Sequence, residues 1–283
     1  MTVLITGARG RVARGLTGLL HHAGHDVRAG SRDPGALDLP RGVPAVPLSL
    51  ARPAQFGPAL DGVRSVFLYA EPSHAEEFGA AARAAGVEHV VLLSSSSVTD
   101  GPADLKSPLA RTHAVAEDAL AAAGPDLTVL RPGSFATNAL YWARSIAATG
   151  TVRLPVPGAH TDPVHEADLA EAAFAVLTRA EARGGVHHLT GPQSLTFTEQ
   201  LAVVERASGR PIGVEAIGHD AWKAEVAAYM PAEYAAALLE FWLAGDGVPV
   251  RLTGTLERLT GRSPRPFAAW AADHAAAFRS AEV

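Results

Sequence analysis

Short apolar runs alternate along the chain with longer segments whose apolar residues recur every three or four positions. Residues 3–6 read as a short buried strand, and a helix is expected over 12–23, ending at Gly24. Second and third strands are expected at 27–29 and 43–48. Residues 63–69 form a fourth, an apolar run suited to burial on both faces. A helix over 74–85 stops at Gly86, and strand 90–93 ends in four serines, Ser94 to Ser97. A helix over 109–123 stops at Gly124, and strand 127–130 meets Arg131-Pro132-Gly133. A helix over 166–179 and a strand-like run at 186–189 follow. This alternation is that of a parallel sheet covered by helices. Beyond Gly191-Pro192 it gives way to helices, with one strand near 213–216. The predicted architecture is α/β: a Rossmann doubly wound parallel sheet over 1–192. A smaller, mostly helical lobe over 193–283 is expected to pack closely on it and cover the substrate.

Composition narrows the function. The chain of 283 residues is 48% hydrophobic and 19% charged, within the range of globular proteins. Its net charge of −5, without basic blocks, argues against nucleic acid as a partner. No apolar run approaches the roughly 18 residues that span a membrane, and the strand-like start argues against a secretory leader. The absence of cysteine excludes disulfides, thiolate catalysis and Cys-ligated zinc. A cytoplasmic protein acting on a small molecule fits this picture, with its oligomeric state left open.

The first strand, a glycine-rich turn and the first helix occur in the order that holds a dinucleotide. The turn reads Gly7-Ala8-Arg9-Gly10-Arg11-Val12-Ala13. Gly7 permits the tight turn, Gly10 lets backbone amides approach a pyrophosphate, and the helix N-terminus presents donors to it. Arg11 and Val12, at the passage from turn to helix, are expected to contact the cofactor as well. A turn that merely reverses the chain is the bland alternative, and the strand–turn–helix context decides against it. After the second strand the chain reads Gly30-Ser31-Arg32, where NAD sites usually carry an acid. Arg32, with Arg9, is suited to clamp a 2′-phosphate, so NADP(H) is expected in preference to NAD(H). The alternative for Arg32 is a solvated surface charge.

Several stretches together resemble the NmrA-like family of atypical short-chain dehydrogenases/reductases. They are Thr6-Gly7-Ala8-Arg9-Gly10, Ser31-Arg32-Asp33-Pro34, the serines after strand five, and Leu130-Arg131-Pro132-Gly133-Ser134-Phe135 with Asn138. Residues 260–267, leading into the Trp270 helix, extend the likeness over almost the whole chain. The resemblance implies a Rossmann domain, a small C-terminal lobe and a pocket between them. The family holds both reductases and non-catalytic cofactor-sensing regulators.

Ordinary short-chain reductases carry Tyr-x-x-x-Lys on the helix after strand five. The matching helix here reads His113-Ala114-Val115-Ala116-Glu117. Positions i and i+4 share a helix face, so the placement survives while the chemistry changes. His113 is a candidate proton donor, with an ordinary pKa of about 6.5, and Glu117 is a candidate to orient it or raise its pKa. Alternatively, His113 only contacts the nicotinamide ribose or packs beneath the cofactor. Tyr69, Ala70 and Glu71 are expected to line the middle of the cofactor, with Ser94, Ser95, Pro132, Gly133, Ser134 and Phe135 nearer the nicotinamide. Serine hydroxyls that satisfy their own turn are the alternative for the first two of these. Ser96, Asn138, Tyr141, Trp142, Trp222 and Trp242 are candidate pocket residues, although core packing accounts equally for Tyr141 and Trp142 and is the better account of aromatics such as Trp222 and Trp242. Phe267, Trp270 and His274 fall at helical spacing and are expected to dock the last helix. No three ligands gather at a metal spacing, so no metal is expected. The leading expectation is an NADPH-dependent oxidoreductase that passes hydride to a quinone, enone, imine or similar aromatic-sized acceptor. The alternative is a non-catalytic NAD(P)-sensing regulator acting through a protein partner.

Overall fold

A computed structural model of the chain describes residues 2–99 and 107–279. The first elements are β1 (Thr2–Ile5), α1 (Arg11–His22), β2 (Asp26–Ser31), β3 (Ala45–Pro47), α2 (Phe56–Leu60) and β4 (Ser65–Tyr69). They continue with α3 (Ala75–Ala84), β5 (His89–Leu93), α4 (Pro108–Ala123), β6 (Asp126–Pro132), α5 (Ala143–Thr149) and β7 (Thr151–Leu154). Then come β8 (His160–Thr161), α6 (Glu166–Thr178), β9 (Gly185–Leu189), β10 (Leu195–Thr196), α7 (Phe197–Ser208) and β11 (Gly213–Ala216). The last are α8 (His219–Val226), α9 (Ala232–Ala244), α10 (Thr255–Thr260) and α11 (Phe267–Asp273). No described helix is long and apolar enough to cross a membrane.

The elements cluster into two compact units, and the chain passes between them repeatedly. The first holds Met1–Pro132, Glu166–Leu189 and Thr255–Arg262; the second holds Gly133–His165, Thr190–Gly254 and Ser263–Val283. A single boundary at residue 192 does not describe this division. The stretch 133–165 belongs with the second unit and α10 with the first, because tertiary packing rather than chain order assigns them.

In the first unit a seven-stranded parallel sheet has the order β3-β2-β1-β4-β5-β6-β9. The strands form where the apolar runs lie. Val3, Leu4 and Ile5 are fully buried in β1, as suits a sheet covered on both faces. Val12, Leu16 and Leu20 recur at four-residue spacing and bury one stripe of α1. α1 packs on α6, and a Cβ at Gly15 would stand 3.1 Å from that of Ala170. β6 runs two residues beyond the expected end, pairing Arg131 with His188 and Pro132 with Leu189.

The second unit is less helical than expected. β7 pairs with β11 in parallel and β8 with β10 in antiparallel register. Its core gathers Ile146, Leu154, Leu201, Leu239, Phe267 and Trp270. A capping box between Thr196 and Glu199 starts α7. Phe267 and Trp270 are fully buried in this core and dock α11 there, and Trp270 stacks on Phe267 and His274 of the same helix end, with centroids 5.2 and 4.5 Å apart.

Candidate functional site

β1 lies between β2 and β4, and the strand order turns at β1, so the crevice at its carboxyl end is the ligand-binding position of an open α/β sheet. The glycine loop occupies it. Gly7 adopts φ +58°, a left-handed conformation that side chains resist. The Ala8 amide donates to the Gly30 carbonyl at 3.1 Å, and the Gly10 amide to the Gly7 carbonyl at 2.8 Å. Gly10 caps α1, and no side chain closes that end. The first-turn amides, among them those of Val12 and Ala13, therefore lack an intrahelical acceptor. Donors arranged in this way at a positive helix end suit a diphosphate.

Residues around the loop differ in how far they remain available to a ligand. Arg9 and Arg32 are exposed, and Arg32 acts electrostatically on Tyr69. The Ser31 hydroxyl is buried and engaged within its own turn, 3.1 Å from both the amide and the carbonyl of Asp33. The ring of Tyr69 packs against Gly7; burial, reinforced by Glu71, raises its pKa. Glu71 accepts from the Ser73 hydroxyl and amide at 2.6 and 2.9 Å, which holds its carboxyl below the ordinary range. The Ala70 amide is tied to the Leu93 carbonyl at 3.2 Å.

At the other end of the edge, Ser94 and Glu117 meet in a way the sequence reading did not foresee. Glu117 is buried, accepts from the Ser94 hydroxyl, and takes a two-pronged bond from Arg131: Nη2 to Oε2 at 2.7 Å and Nε to Oε1 at 3.1 Å. The expectation that Glu117 orients His113 is therefore corrected, because its carboxylate bonds to Arg131 and Ser94 instead. The Nδ1 of His113 is buried without a hydrogen-bond partner. Burial lowers the imidazole pKa, and the opposing charge of Glu117 is the weaker influence. Burial of His113 thus favours its neutral imidazole over the charged form. The Ser95 hydroxyl accepts from the amide and hydroxyl of Ser97 at 3.1 and 2.9 Å, a turn closing on itself. Ser96 is exposed, its amide donating to the Pro132 carbonyl at 2.8 Å.

The remaining candidates belong to the second unit. A Cβ at Gly133 would stand 1.9 Å from Oδ2 of Asp162, so only glycine admits that carboxyl. The Ser134 amide donates to Asp162 Oδ1 at 3.1 Å, and Phe135 forms a bridge with Val164. Burial pushes the Asp162 pKa up to about 6, against the hydrogen bond from Ser134. Asn138 is exposed, as is Tyr141 at 81%. Trp222 is buried and makes an edge contact with Trp242 at 5.0 Å. Trp142 and Trp242 pack edge-on against Phe197 at 5.8 and 5.3 Å. Trp222 is packed within the core of this unit, and the other two tryptophans are half-buried on the same core. Among the described residues no three His, Asp or Glu groups gather that could hold a metal.

Arg131 and Asp162 escaped the sequence reading. A charged residue closing the apolar run Leu127–Leu130 was the available signal for the first, since a buried guanidinium requires a carboxylate. Asp162 stands beside Pro163 and gave no comparable signal.

Comparison with known proteins agrees with this geometry. Residues 7–180 match the model of a family described as NAD(P)H-binding. A curated relative from Streptomyces griseus, (4-alkanoyl-5-oxo-2,5-dihydrofuran-3-yl)methyl phosphate reductase, is 36% identical over 98% of this chain and 99% of its own length. An NAD(P)H azoreductase from Xenophilus azovorans is 30% identical over 99% of this chain and all of its own. Among solved structures, an NADPH-dependent quinone oxidoreductase from Escherichia coli in complex with NADPH superposes with a TM-score of 0.80 at 22% identity. That match covers 96% of this chain and 99% of the other, and it shows the shared fold.

Proposed function

The chain belongs to the NAD(P)H-binding, NmrA-like family of atypical short-chain dehydrogenases/reductases and is an NAD(P)H-dependent reductase, and from that premise we propose that it prefers NADPH and reduces an enone-type acceptor of the acyl-butenolide class. The observation that carries the acceptor is the 36% identity, along almost the full length of both chains, with the Streptomyces griseus reductase, whose name describes an alkanoyl dihydrofuranone bearing a methyl phosphate. The quinone and imine acceptors are the competing members of the same expectation.

The nicotinamide, when bound, supplies the hydride. The chain's own residues supply the rest. Gly7, Gly10 and the first-turn amides of α1 hold the diphosphate, and the exposed Arg9 and Arg32 meet the 2′-phosphate. Hydride adds to the alkene carbon β to the lactone and alkanoyl carbonyls, and the electron pair of the double bond moves to the carbon between them. That carbanion is delocalised over both carbonyl oxygens and takes a proton from solvent or a neighbouring donor. An anion so stabilised needs no strong acid at the moment of transfer. This accords with His113 and Glu117 standing where the tyrosine and lysine of ordinary short-chain reductases would be, and with the low basicity of His113.

Purified protein is mixed with NADPH or NADH and an acyl-butenolide, a naphthoquinone, an azo dye or a cyclic imine, and the loss of nicotinamide absorbance is followed. The expected result is fastest turnover with NADPH and the butenolide. Turnover confined to the quinone, dye or imine overturns the acceptor assignment. Tight NADPH binding without turnover on any acceptor favours the sensing role.

A further inference from the structure

Arg131 lies in β6 with 6% exposure. Burying a guanidinium costs free energy unless a carboxylate meets it with good geometry. Both prongs of the fork engage Glu117 of α4, and the same carboxylate oxygen that receives Nε also receives the Ser94 hydroxyl. The Ser94 amide in turn donates to the Leu130 carbonyl at 2.8 Å. One carboxylate thus ties a helix to the carboxyl ends of two adjacent strands. His113 sits one turn before Glu117 on the same face of α4, so any rotation of α4 that breaks the fork also moves His113. The fork is directional: a planar guanidinium fixes both the height and the angle of its partner, which an ammonium does not.

We infer that Arg131 is a positioning residue, which through Glu117 sets the rotation of α4 and thereby holds Ser94 and His113, the latter as a contact to the nicotinamide ribose and not as an acid, at the carboxyl edge of the sheet. No role beyond the family motif attaches to Arg131 from the sequence, and its partner was assigned there to His113. The inference rests on the proposed reductase activity for its kinetic assay alone.

The test separates positioning from plain stabilisation. Replacing both members of a buried pair by apolar residues of similar size commonly preserves folding, whereas removing one does not. In R131M/E117M the expected result is an unchanged KM for NADPH and cooperative melting, with kcat lower by about 10- to 100-fold, as misplacement by about 1 Å produces. R131K, which keeps the charge but loses the fork, is expected to fall between this variant and the wild type. Full kcat in the folded double variant, or equal losses in kcat and NADPH affinity, overturns the inference. Should the double variant not fold, R131K decides alone: reduced kcat with a wild-type melting curve supports positioning, and wild-type kcat contradicts it. Should the wild type turn over no acceptor, the His113 imidazole resonances carry the test. They are expected to shift in R131K, and unchanged resonances overturn the inference without touching the functional assignment.

Discussion

The ring of Tyr69 lies across Gly7 so closely that a Cβ on the glycine would stand 2.7 Å from Cδ1 and 2.9 Å from Cε1. Tyr69 is the last residue of β4 and Gly7 lies two residues past the end of the adjacent β1, at the turning point of the sheet. Gly7 is thus required twice, for its left-handed backbone and for its missing side chain. Gly7→Ala is expected to destabilise the protein by about 1–3 kcal/mol and to weaken NADPH binding at least about tenfold. Adding Tyr69→Ala removes the collision but leaves the backbone strain, so only part of the stability returns. Denaturant unfolding and calorimetric titration of both variants check this; wild-type binding by Gly7→Ala would contradict it.

Arg32 is exposed and follows a strand end that lacks the acid of NAD sites. A charge-assisted hydrogen bond contributes about 1.5–3 kcal/mol, so Arg32→Ala is expected to raise the Kd for NADPH by roughly tenfold or more. The Kd for NADH should stay within about a factor of two, since NADH has no 2′-phosphate. Equal losses for the two nucleotides would make Arg32 a general surface charge.

His89 is fully buried, its Nε2 2.8 Å from Thr128 Oγ1, and burial lowers its pKa to about 4, aided by Arg183 and opposed by Asp126. The unfolded chain takes up its proton near pH 6.5 and the folded chain only near pH 4. Between those values the unfolded state binds more protons, so stability falls as pH falls. The loss attributable to His89 approaches about 3 kcal/mol by pH 4. Unfolding free energies measured from pH 4 to 7 should decline less steeply in His89→Gln; parallel curves would remove His89 as the cause.

Asp162 behaves in the opposite sense. Its pKa is raised to about 6, above the ordinary value of an aspartate near 4, so the folded chain binds the extra proton between those values and stability falls as pH rises through them. Asp162→Asn keeps an oxygen for the Ser134 amide and removes the buried charge. It is expected to gain about 1–3 kcal/mol above pH 6, a gain that disappears below about pH 4. Destabilisation at every pH would show that the carboxylate makes a contact the amide cannot.

The sheet was legible because its strands are apolar runs bounded by Gly and Pro, and because the helix on Val12, Leu16 and Leu20 carries its periodicity locally. The glycine loop was legible for the same reason: Gly7 and Gly10 act through the backbone within seven residues. What escaped depends on distant partners. β8 and β10 have two residues each, and only the pairing of Thr161 with Leu195 and of His160 with Thr196 makes them strands. Glu117 was assigned to His113 because residues four apart share a helix face, yet Arg131 from β6 holds it instead. Trp222 carried no local sign of which residues it packs among, and the fold supplies Trp242 and Val226. The division into units was hidden because segments 133–165 and 255–262 pack away from their neighbours in sequence.

The central claim is hydride delivery from the bound nucleotide to a conjugated alkene, and isotope transfer tests it most directly. NADPH deuterated at either face of nicotinamide C4 is incubated with the protein and an acyl-butenolide, and the product is examined by mass spectrometry and NMR. The account predicts one deuterium from one of the two labelled forms, located on the carbon β to both carbonyls. A reduced product free of deuterium from both forms, or no reduced product despite NADPH binding, would contradict it.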